Sequence, residues 1–445
     1  FFLLIFSTYY WKYFVNKMHY IMIYFFNIVF ILFLIYFFKL YFIHVYSFFF
    51  NYLNFFSNYL NFFFFSDTLI CLALFITAVS WIFLGERYQF NNIFFLMYFF
   101  IFIICTIGMV STSNLLVMII FFEFLFLPSL FFVYKFGYSH KVEKTIYYLL
   151  LWTMTGSLLV LSGTAYLFSI TNDLNINNLL YLKFSNYENN ILMLLFFFGF
   201  GVKIPIWPFH YWLTKVHVEA PTGFSIFLSG FLVKTAFFCL VYFYQLFITP
   251  FFKNIILCFI LIGSFDASLR MWSVTDIKRL IAFATIQEMN LIFLFFVLLG
   301  NTNYSILNLF LLVHGILSGF LFFLVDQVYK QFMTRQLSGI AGINKLSPTL
   351  HAIVWFAILI FRGFPIFIKF FIEYELLIEM INNFYILGAL YFFIISFFGV
   401  IGFSRVWLSM LYGQPTIKTS RLMFKRDFII GFSFISLLFL LQFFF

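Results

Sequence analysis

Charged side chains are scarce in this sequence. Asp, Glu, Lys and Arg make up only 9% of the 445 residues, whereas 65% of the residues are hydrophobic. A soluble domain carries about 25% charged residues, so this chain has too few polar side chains to cover a water-facing surface. The composition therefore excludes a soluble globular protein and indicates a polytopic membrane protein.

Several functional signatures are also lacking. The four cysteines (Cys71, Cys105, Cys239 and Cys258) lie far apart in apolar stretches, and without a CxxC spacing neither a zinc site nor an iron–sulfur site is indicated. No Gly-rich phosphate loop, GxSxG or HExxH motif occurs. The opening stretch, FFLLIFSTYYWKYF, has neither the basic region nor the cleavage site of a secretory signal. We therefore predict no cofactor and no metal in this chain, and no secretory signal.

Long apolar runs dominate what is present. A transmembrane helix needs about 20 largely apolar residues, and such runs predict an all-α polytopic membrane protein of about 14 helices. Numbered in chain order, the predicted helices cover residues 20–38, 40–65, 68–84, 92–110, 113–133, 145–170, 191–211, 222–247, 253–273, 279–299, 304–328, 349–378, 384–408 and 428–445.

The basic residues support this count. Connectors after odd-numbered helices, counted with the first residue of the next helix, hold 15 of the 25 Lys and Arg residues, whereas those after even-numbered helices hold only Lys183 and Lys253. Basic residues concentrate in the loops on one side of a membrane, so the odd-to-even connectors are predicted to share that side. The net charge of +10 therefore reflects these loops and does not indicate a nucleic-acid partner.

Ionisable residues nevertheless fall within the predicted helices, and eight of them are candidates for a path. They are Glu123, Lys203, Lys234, Glu288, His314, Arg362, Lys369 and Glu373. Such residues are costly in lipid and are expected to face the bundle interior or water, where they mark ion or proton paths. The alternative is a set of structural ion pairs that lock helices together. A series at successive depths favours the path. Lysine suits a relay because burial favours its neutral form and a nearby carboxylate favours its charged form.

Two of the predicted helices contain helix breakers. Pro205 follows Lys203, and proline removes a backbone donor and clashes with the preceding turn. Gly363 and Pro365 likewise precede Glu373. Broken backbone at membrane depth is tolerated only in a cavity or inside protein.

Interrupted helices in two halves indicate inverted repeats. We predict two inverted five-helix repeats, with breaks near 203–208 and 362–366, and the following units: helices 1–3 (1–91), a first repeat (92–250), a second repeat (251–412), and a loop with the last helix (413–445).

Four blocks of the sequence resemble the proton-translocating, antiporter-like subunits of respiratory complex I. They are VKIPIWPFHYWLTKVHVEAPTGFSIFLSGFLVK (202–234), TDIKRLIAFATI (275–286), HGILSGFLFFLVDQVYKQFMTR (314–335) and GFPIFIKFFIEYELL (363–377). The resemblance covers roughly residues 113–427, in order and spacing. The run His217–Pro221 and the acidic Glu373 are similar to the subunit 4 type rather than to subunit 5. Residues 1–110 share hydropathy but no motif.

The resemblance implies a proton-translocating membrane-arm subunit of NADH:ubiquinone oxidoreductase, driven by electron transfer in other subunits. It implies a multi-pass protein of the mitochondrial inner membrane, with NADH, FMN, iron–sulfur clusters and ubiquinone bound by partner subunits. The implied partners are antiporter-like subunits 2 and 5 as neighbours, accessory subunits, and lipids such as cardiolipin.

Roles in the proton path also follow from the resemblance. Glu123 and Lys203 match the pair of the first half-channel, Lys234 leads toward the central axis, His314 continues it, and Glu373 is the terminal carboxylate. Two positions depart from the family. Glu288 stands where a His is usual, so an acid replaces a base on the path, and Arg362 stands where an Asn is usual.

Other conspicuous polar residues receive structural interpretations. His217 and Glu219 are predicted to fix a loop by hydrogen bonds. Asp276, Lys278 and Arg279 are predicted to form a charge cluster at the positive face, with Lys278 as a possible proton feed, and His210 is left open.

Two other functions remain open at this point. A subunit of a multisubunit Na⁺/H⁺ antiporter shares the same blocks. A structural membrane subunit that has lost pumping would show decay of its buried charges, whereas Glu123, Lys203, Lys234 and Glu373 persist.

Overall fold

The computed structural model describes residues 68–80, 93–137, 141–179, 181–299, 304–415 and 425–444. Most of the described residues are helical and none belongs to a named strand, which confirms the predicted all-α class. The helices are α1 (Thr68–Ser80), α2 (Ile93–Ser111), α3 (Leu115–Phe124), α4 (Phe126–Phe136), α5 (Val142–Thr171), α6 (Ile176–Leu179), α7 (Asn186–Lys203), α8 (Tyr211–Glu219), α9 (Thr222–Phe227), α10 (Val233–Phe247), α11 (Pro250–Ser273), α12 (Ile277–Leu299), α13 (Tyr304–Phe332), α14 (Ile343–Leu346), α15 (Pro348–Phe361), α16 (Ile368–Asn382), α17 (Ile386–Leu411) and α18 (Lys425–Leu440).

Seven helices of the described residues are long and apolar enough to cross a membrane. They are Leu115–Phe136, Val142–Thr171, Thr222–Phe247, Pro250–Ser273, Ile277–Leu299, Ile306–Phe332 and Ile386–Leu411. The described residues also include four shorter apolar helices, which are Thr68–Ser80, Phe100–Ser111, Pro348–Phe361 and Asp427–Leu440. The first two predicted helices, 20–38 and 40–65, lie outside the described residues.

The helices form an inner and an outer group. The membrane windows of Thr222–Phe247 and α12 are wholly buried, and that of α13 nearly so, whereas α5, α11 and α17 bury only about a third of theirs. The outer helices therefore present apolar side chains to lipid, which is an acceptable environment for Phe and Leu. Lys234, Glu288 and His314 all lie on the inner helices, where burial shields them from lipid.

Two glycines allow close approach of α5 and α7. A Cβ on Gly156 would lie 2.8 Å from the Gly199 carbonyl oxygen, and a Cβ on Gly199 would lie 3.0 Å from the Gly156 carbonyl oxygen. Small residues at such crossings let two membrane helices pack backbone to backbone. This contact sets the position of α7, which ends at Lys203.

Both predicted helix breaks are present. The chain is non-helical from the end of α7 at Lys203 to the start of α8 at Tyr211, and again between α15 and α16 over residues 362–367. Two further interruptions escaped the sequence analysis. Leu125 separates α3 from α4, three residues before Pro128, which lacks the N–H that would bond the Phe124 carbonyl. A π-helical segment, Leu228–Leu232, joins α9 to α10.

Candidate functional site

The first buried ion pair joins α3 to the end of α7. Lys203 Nζ lies 2.7 Å from Glu123 Oε1, and the lysine side chain is fully buried while that of Glu123 is 28% exposed. The rings of Phe122 and Phe126 flank the ammonium, with centroids 4.1 and 4.2 Å from Nζ. The predicted pair is therefore in contact, and the glutamate provides its more exposed side.

At the proline break beside Lys203, two carbonyls that lose their helical donors have other donors. Pro205 has no N–H for the Gly201 carbonyl, and Ile206 N donates to that oxygen instead, at 3.0 Å. The Val202 carbonyl then loses Ile206 as its helical donor and accepts from Trp212 Nε1 at 2.8 Å. Buried backbone groups need such partners, so the Trp212 side chain stabilises the break.

Lys234 lies next to the π-helical segment. The Val233 N–H donates to Leu228 O, five residues back, and not to Ser229 O as it would in an α-helix. Lys234 Nζ donates to the Ser229 carbonyl oxygen. Lys234 is fully buried and interacts electrostatically with Glu288 on α12. The local change of helix type thus supplies a carbonyl that solvates this buried cation.

His314 lies between the lysines of the two halves. Its side chain is buried on α13 and interacts electrostatically with Lys234 and Lys369. Neither ring nitrogen has a hydrogen-bond partner among the residues that the structure describes. A neutral imidazole carries a proton on one nitrogen and can accept a second proton on the other.

The second half holds three charged groups in contact. Lys369 Nζ lies 2.7 Å from Glu288 Oε1 and 3.6 Å from Glu373 Oε1. It also donates to the Phe361 carbonyl oxygen at 2.7 Å. The sequence marks Lys369 as one of the intramembrane charges but assigns it no role in the path. Lys369 nevertheless precedes Glu373 by four residues, the spacing that puts two side chains on one helix face.

A cavity of about 690 Å³ adjoins this cluster. Glu288, Arg362, Lys369 and Glu373 line it together with aromatic residues of α16 and α17. Arg362 is exposed, so it faces the cavity mouth and not the bundle interior. The cavity has the size and the polar lining to hold several waters.

The interpretation of His217 and Glu219 as loop residues is wrong. Both belong to α8, because the helix resumes after the proline break and ends at Glu219. The His217 ring is fully buried and stacks on Phe322, with centroids 4.6 Å apart. Neither of its nitrogens has a hydrogen-bond partner among the described residues. It interacts electrostatically with Lys234 and Lys278, so it lies beside the charged series.

Lys278 and His210 also differ from simple surface charges. Lys278 is fully buried, and its Nζ donates to the Ala220 carbonyl oxygen at 2.5 Å. His210 is buried with Nε2 at 3.3 Å from Asp266 Oδ2, and Asp266 in turn pairs with Arg270 at 2.8 Å. Among the described residues, no group of three His, Cys, Asp or Glu side chains is placed to hold a metal ion.

Comparison with known proteins gives one family. Residues 112–399 match the family described as NADH:quinone oxidoreductase/Mrp antiporter, transmembrane. The NADH-ubiquinone oxidoreductase chain 4 of Paramecium tetraurelia is 35% identical over 347 residues, covering 78% of this chain and 73% of the relative.

Solved structures share the fold. A chain of respiratory complex I from Thermus thermophilus has a TM-score of 0.73 at 21% identity, covering 84% of this chain and 80% of that chain. A chain of the Mrp complex from Dietzia sp. has a TM-score of 0.72 at 19% identity, covering 80% of this chain and 68% of that chain. At these identities the likeness concerns the fold alone.

Proposed function

The chain belongs to the NADH-ubiquinone oxidoreductase chain 4 family, and we propose that its buried charges form the path by which it moves protons across the membrane. It is a proton-translocating membrane-arm subunit of respiratory complex I. The path runs through Glu123, Lys203, Lys234, Glu288, His314 and Glu373. The observation that carries this proposal is the fully buried Lys203 held by Glu123 at a helix break.

The pair can load and release a proton by opening and closing. With Glu123 at 2.7 Å, the ammonium form of Lys203 is stabilised. When the carboxylate moves away, the buried ammonium loses its counterion, and its proton passes inward. Moving one charge against the membrane potential requires about 2.3 kcal/mol per 100 mV. The loss of one close carboxylate in a poorly hydrated interior is of sufficient magnitude, since attraction at 4 Å is about 4 kcal/mol at an effective dielectric constant of 20.

Lys234 and His314 then transfer the proton from the first half to the second. Lys234 and His314 are buried on adjacent inner helices and interact electrostatically with each other. The electrostatic interactions of His314 with both Lys234 and Lys369 support its role as a relay between Lys234 and the acidic cluster of the second half. Glu373 faces the cavity and is the point of release.

Electron transfer, which drives this proton movement, is a task of the other subunits of the complex. We infer that electron transfer through NADH, FMN, iron–sulfur clusters and ubiquinone occurs in partner subunits, and that antiporter-like subunits 2 and 5 and accessory subunits flank this chain. The complex is placed in the mitochondrial inner membrane, where cardiolipin can contact its outer helices.

The test is Lys203→Met in the assembled complex, reconstituted into vesicles. We expect assembly and NADH oxidation to persist while the number of protons moved per NADH falls. Normal proton stoichiometry in this variant would remove Lys203 from the path. A matched control is Lys330→Met, because Lys330 pairs with Asp326 and Asp427 outside the path, at 3.2 and 3.0 Å.

A Na⁺/H⁺ antiporter subunit is the second candidate, favoured by the shared fold of the Mrp complex. Affinity purification separates the two functions. Co-purification with flavin and iron–sulfur subunits supports the complex I assignment, whereas a purified assembly without them, and with Na⁺-dependent proton exchange, supports the antiporter.

A further inference from the structure

The second half contains an ion pair that matches the pair of the first half. Lys369 Nζ and Glu288 Oε1 are 2.7 Å apart, the same distance as Lys203 Nζ and Glu123 Oε1. Both side chains are nearly fully buried, with exposures of 3% and 6%. Two charges are costly to bury, so the repetition of one such pair in each half indicates a role beyond packing.

The two pairs occupy corresponding helices of the proposed repeats. Glu123 lies on the second helix of the first repeat and Glu288 on the second helix of the second repeat, by the division at 92–250 and 251–412. Lys203 and Lys369 each lie on the broken fourth helix. Glu288, which stands where the family usually has a His, is therefore paired with a lysine, Lys369.

The helix break itself positions Lys369. Pro365 has no N–H to bond the Phe361 carbonyl four residues earlier. Lys369 Nζ occupies that oxygen at 2.7 Å. The ring of Phe361 also lies below the ammonium, with its centroid 4.6 Å from Nζ. These contacts hold the nitrogen at the point where the backbone opens.

A second carboxylate lies on the cavity side of the same ammonium. Glu373 Oε1 is 3.6 Å from Lys369 Nζ. The absence of a side chain at Gly363 leaves room for it, because a Cβ there would lie 3.0 Å from Glu373 Oε2. Glu288, Lys369 and Glu373 all line the cavity of about 690 Å³. One lysine is thus shared by an inner and an outer carboxylate.

We propose that Lys369 is a proton-carrying residue that passes its proton to Glu373, so that the second half has a complete lysine relay of its own. The proposal rests on the proposed function. In the step, an N–H bond of the ammonium breaks and an O–H bond forms on Glu373, which leaves a neutral amine and a carboxylic acid. Glu373 releases the proton to cavity water, and the amine takes the next proton from protonated His314. Glu288 remains a carboxylate and holds the recharged ammonium.

A structural lock is the competing role, and arginine separates the two. Arginine keeps its charge in proteins, so in place of Lys369 it can preserve the ion pair, but it does not give up its proton. A lock therefore survives Lys369→Arg, whereas a proton carrier does not. We expect the Lys369→Arg complex to assemble, to oxidise NADH, and to lose as much proton transfer per NADH as Lys203→Met.

Two further variants, Lys330→Arg and Lys203→Met, are needed to interpret the result. Lys330→Arg alters a lysine outside the path and should leave the proton stoichiometry unchanged. If Lys203→Met loses pumping while Lys369→Arg pumps normally, the proposed function stands and the role of Lys369 is overturned. If Lys203→Met itself pumps normally, the proposed function fails.

A second variant decides the question if Lys369→Arg does not assemble. The double variant Glu288→Gln, Lys369→Met removes both charges of the pair, and the carboxylate that remains, Glu373, is 18% exposed and lines the cavity. We expect it to assemble without its share of proton transfer. Normal stoichiometry in an assembled double variant would show that the pair is dispensable and would overturn the proposal.

Discussion

The two halves of the molecule use the same elements in a different order. In the first half the lysine precedes the break, and backbone and Trp212 donors occupy the carbonyls at the break. In the second half the lysine follows the break and itself occupies the Phe361 carbonyl. Lys203 has one carboxylate within contact distance, whereas Lys369 has two.

In the first half, the lysine takes no part in bonding the carbonyls at the helix break. In the second half, the lysine itself bonds the carbonyl that the break leaves without a donor. Lys203 depends on Glu123 for its counterion, so moving one carboxylate alters its protonation. Lys369 retains a carbonyl and one carboxylate when the other moves. The first half is therefore the more sensitive to loss of a single acid, and the second the more sensitive to changes in backbone geometry.

The largest effect is expected from Glu123→Gln compared with Glu288→Gln. Glu123→Gln leaves the fully buried Lys203 without a charged partner, and breaking a buried pair in this way costs about 3–5 kcal/mol. Glu288→Gln leaves Lys369 with Glu373 at 3.6 Å. We expect lower assembly and no pumping through this chain in the first variant, and milder loss in the second. The yield of assembled complex and the protons moved per NADH measure both, and equal losses would contradict the comparison.

The next effect is expected from the prolines. Pro365→Ala restores an N–H that competes with Lys369 for the Phe361 carbonyl, a charged hydrogen bond of about 1.5–3 kcal/mol. Pro205→Ala restores an N–H for the Gly201 carbonyl, which already accepts from Ile206. Proton transfer should slow in the first variant and change little in the second. A slower Pro205→Ala variant with a normal Pro365→Ala variant would reverse this difference between the two halves.

A smaller effect is expected from Trp212→Phe. This change replaces the indole by a smaller aromatic ring and removes the Nε1–H donor that lies 2.8 Å from the Val202 carbonyl. A buried acceptor that loses its donor costs about 1–2 kcal/mol, within the usual range. The thermal stability of the complex should fall with little change in proton stoichiometry. Trp407→Phe is the control, since Trp407 Nε1 has no hydrogen-bond partner among the described residues.

The features that could be predicted from the sequence are those that depend on the chemistry of single residues. Both breaks follow from the missing N–H of proline, and the partnership of Glu123 with a lysine follows from the need to pair a buried charge. The π-helical segment and the role of the Phe361 carbonyl could not be predicted, because they depend on which backbone groups remain unbonded after the helices pack. His217 was misplaced for a related reason: the sequence marks where the helix breaks but not that it resumes at Tyr211.

The smallest effect is expected from Asp266→Asn, which tests whether ion pairing alone marks the path. Asp266 pairs with Arg270, whose side chain is 36% exposed, and it lies 3.3 Å from His210 Nε2. Exposed pairs contribute about 0.2–1 kcal/mol, so stability should fall by less than that of Trp212→Phe, and the protons moved per NADH should not change. Because His210 faces this aspartate and is itself buried, a loss of pumping comparable to that of Glu123→Gln would place His210 and Asp266 on the path. The first half would then hold a second acid–base pair, and the greater sensitivity assigned to Lys203 and Glu123 would have to be shared with it.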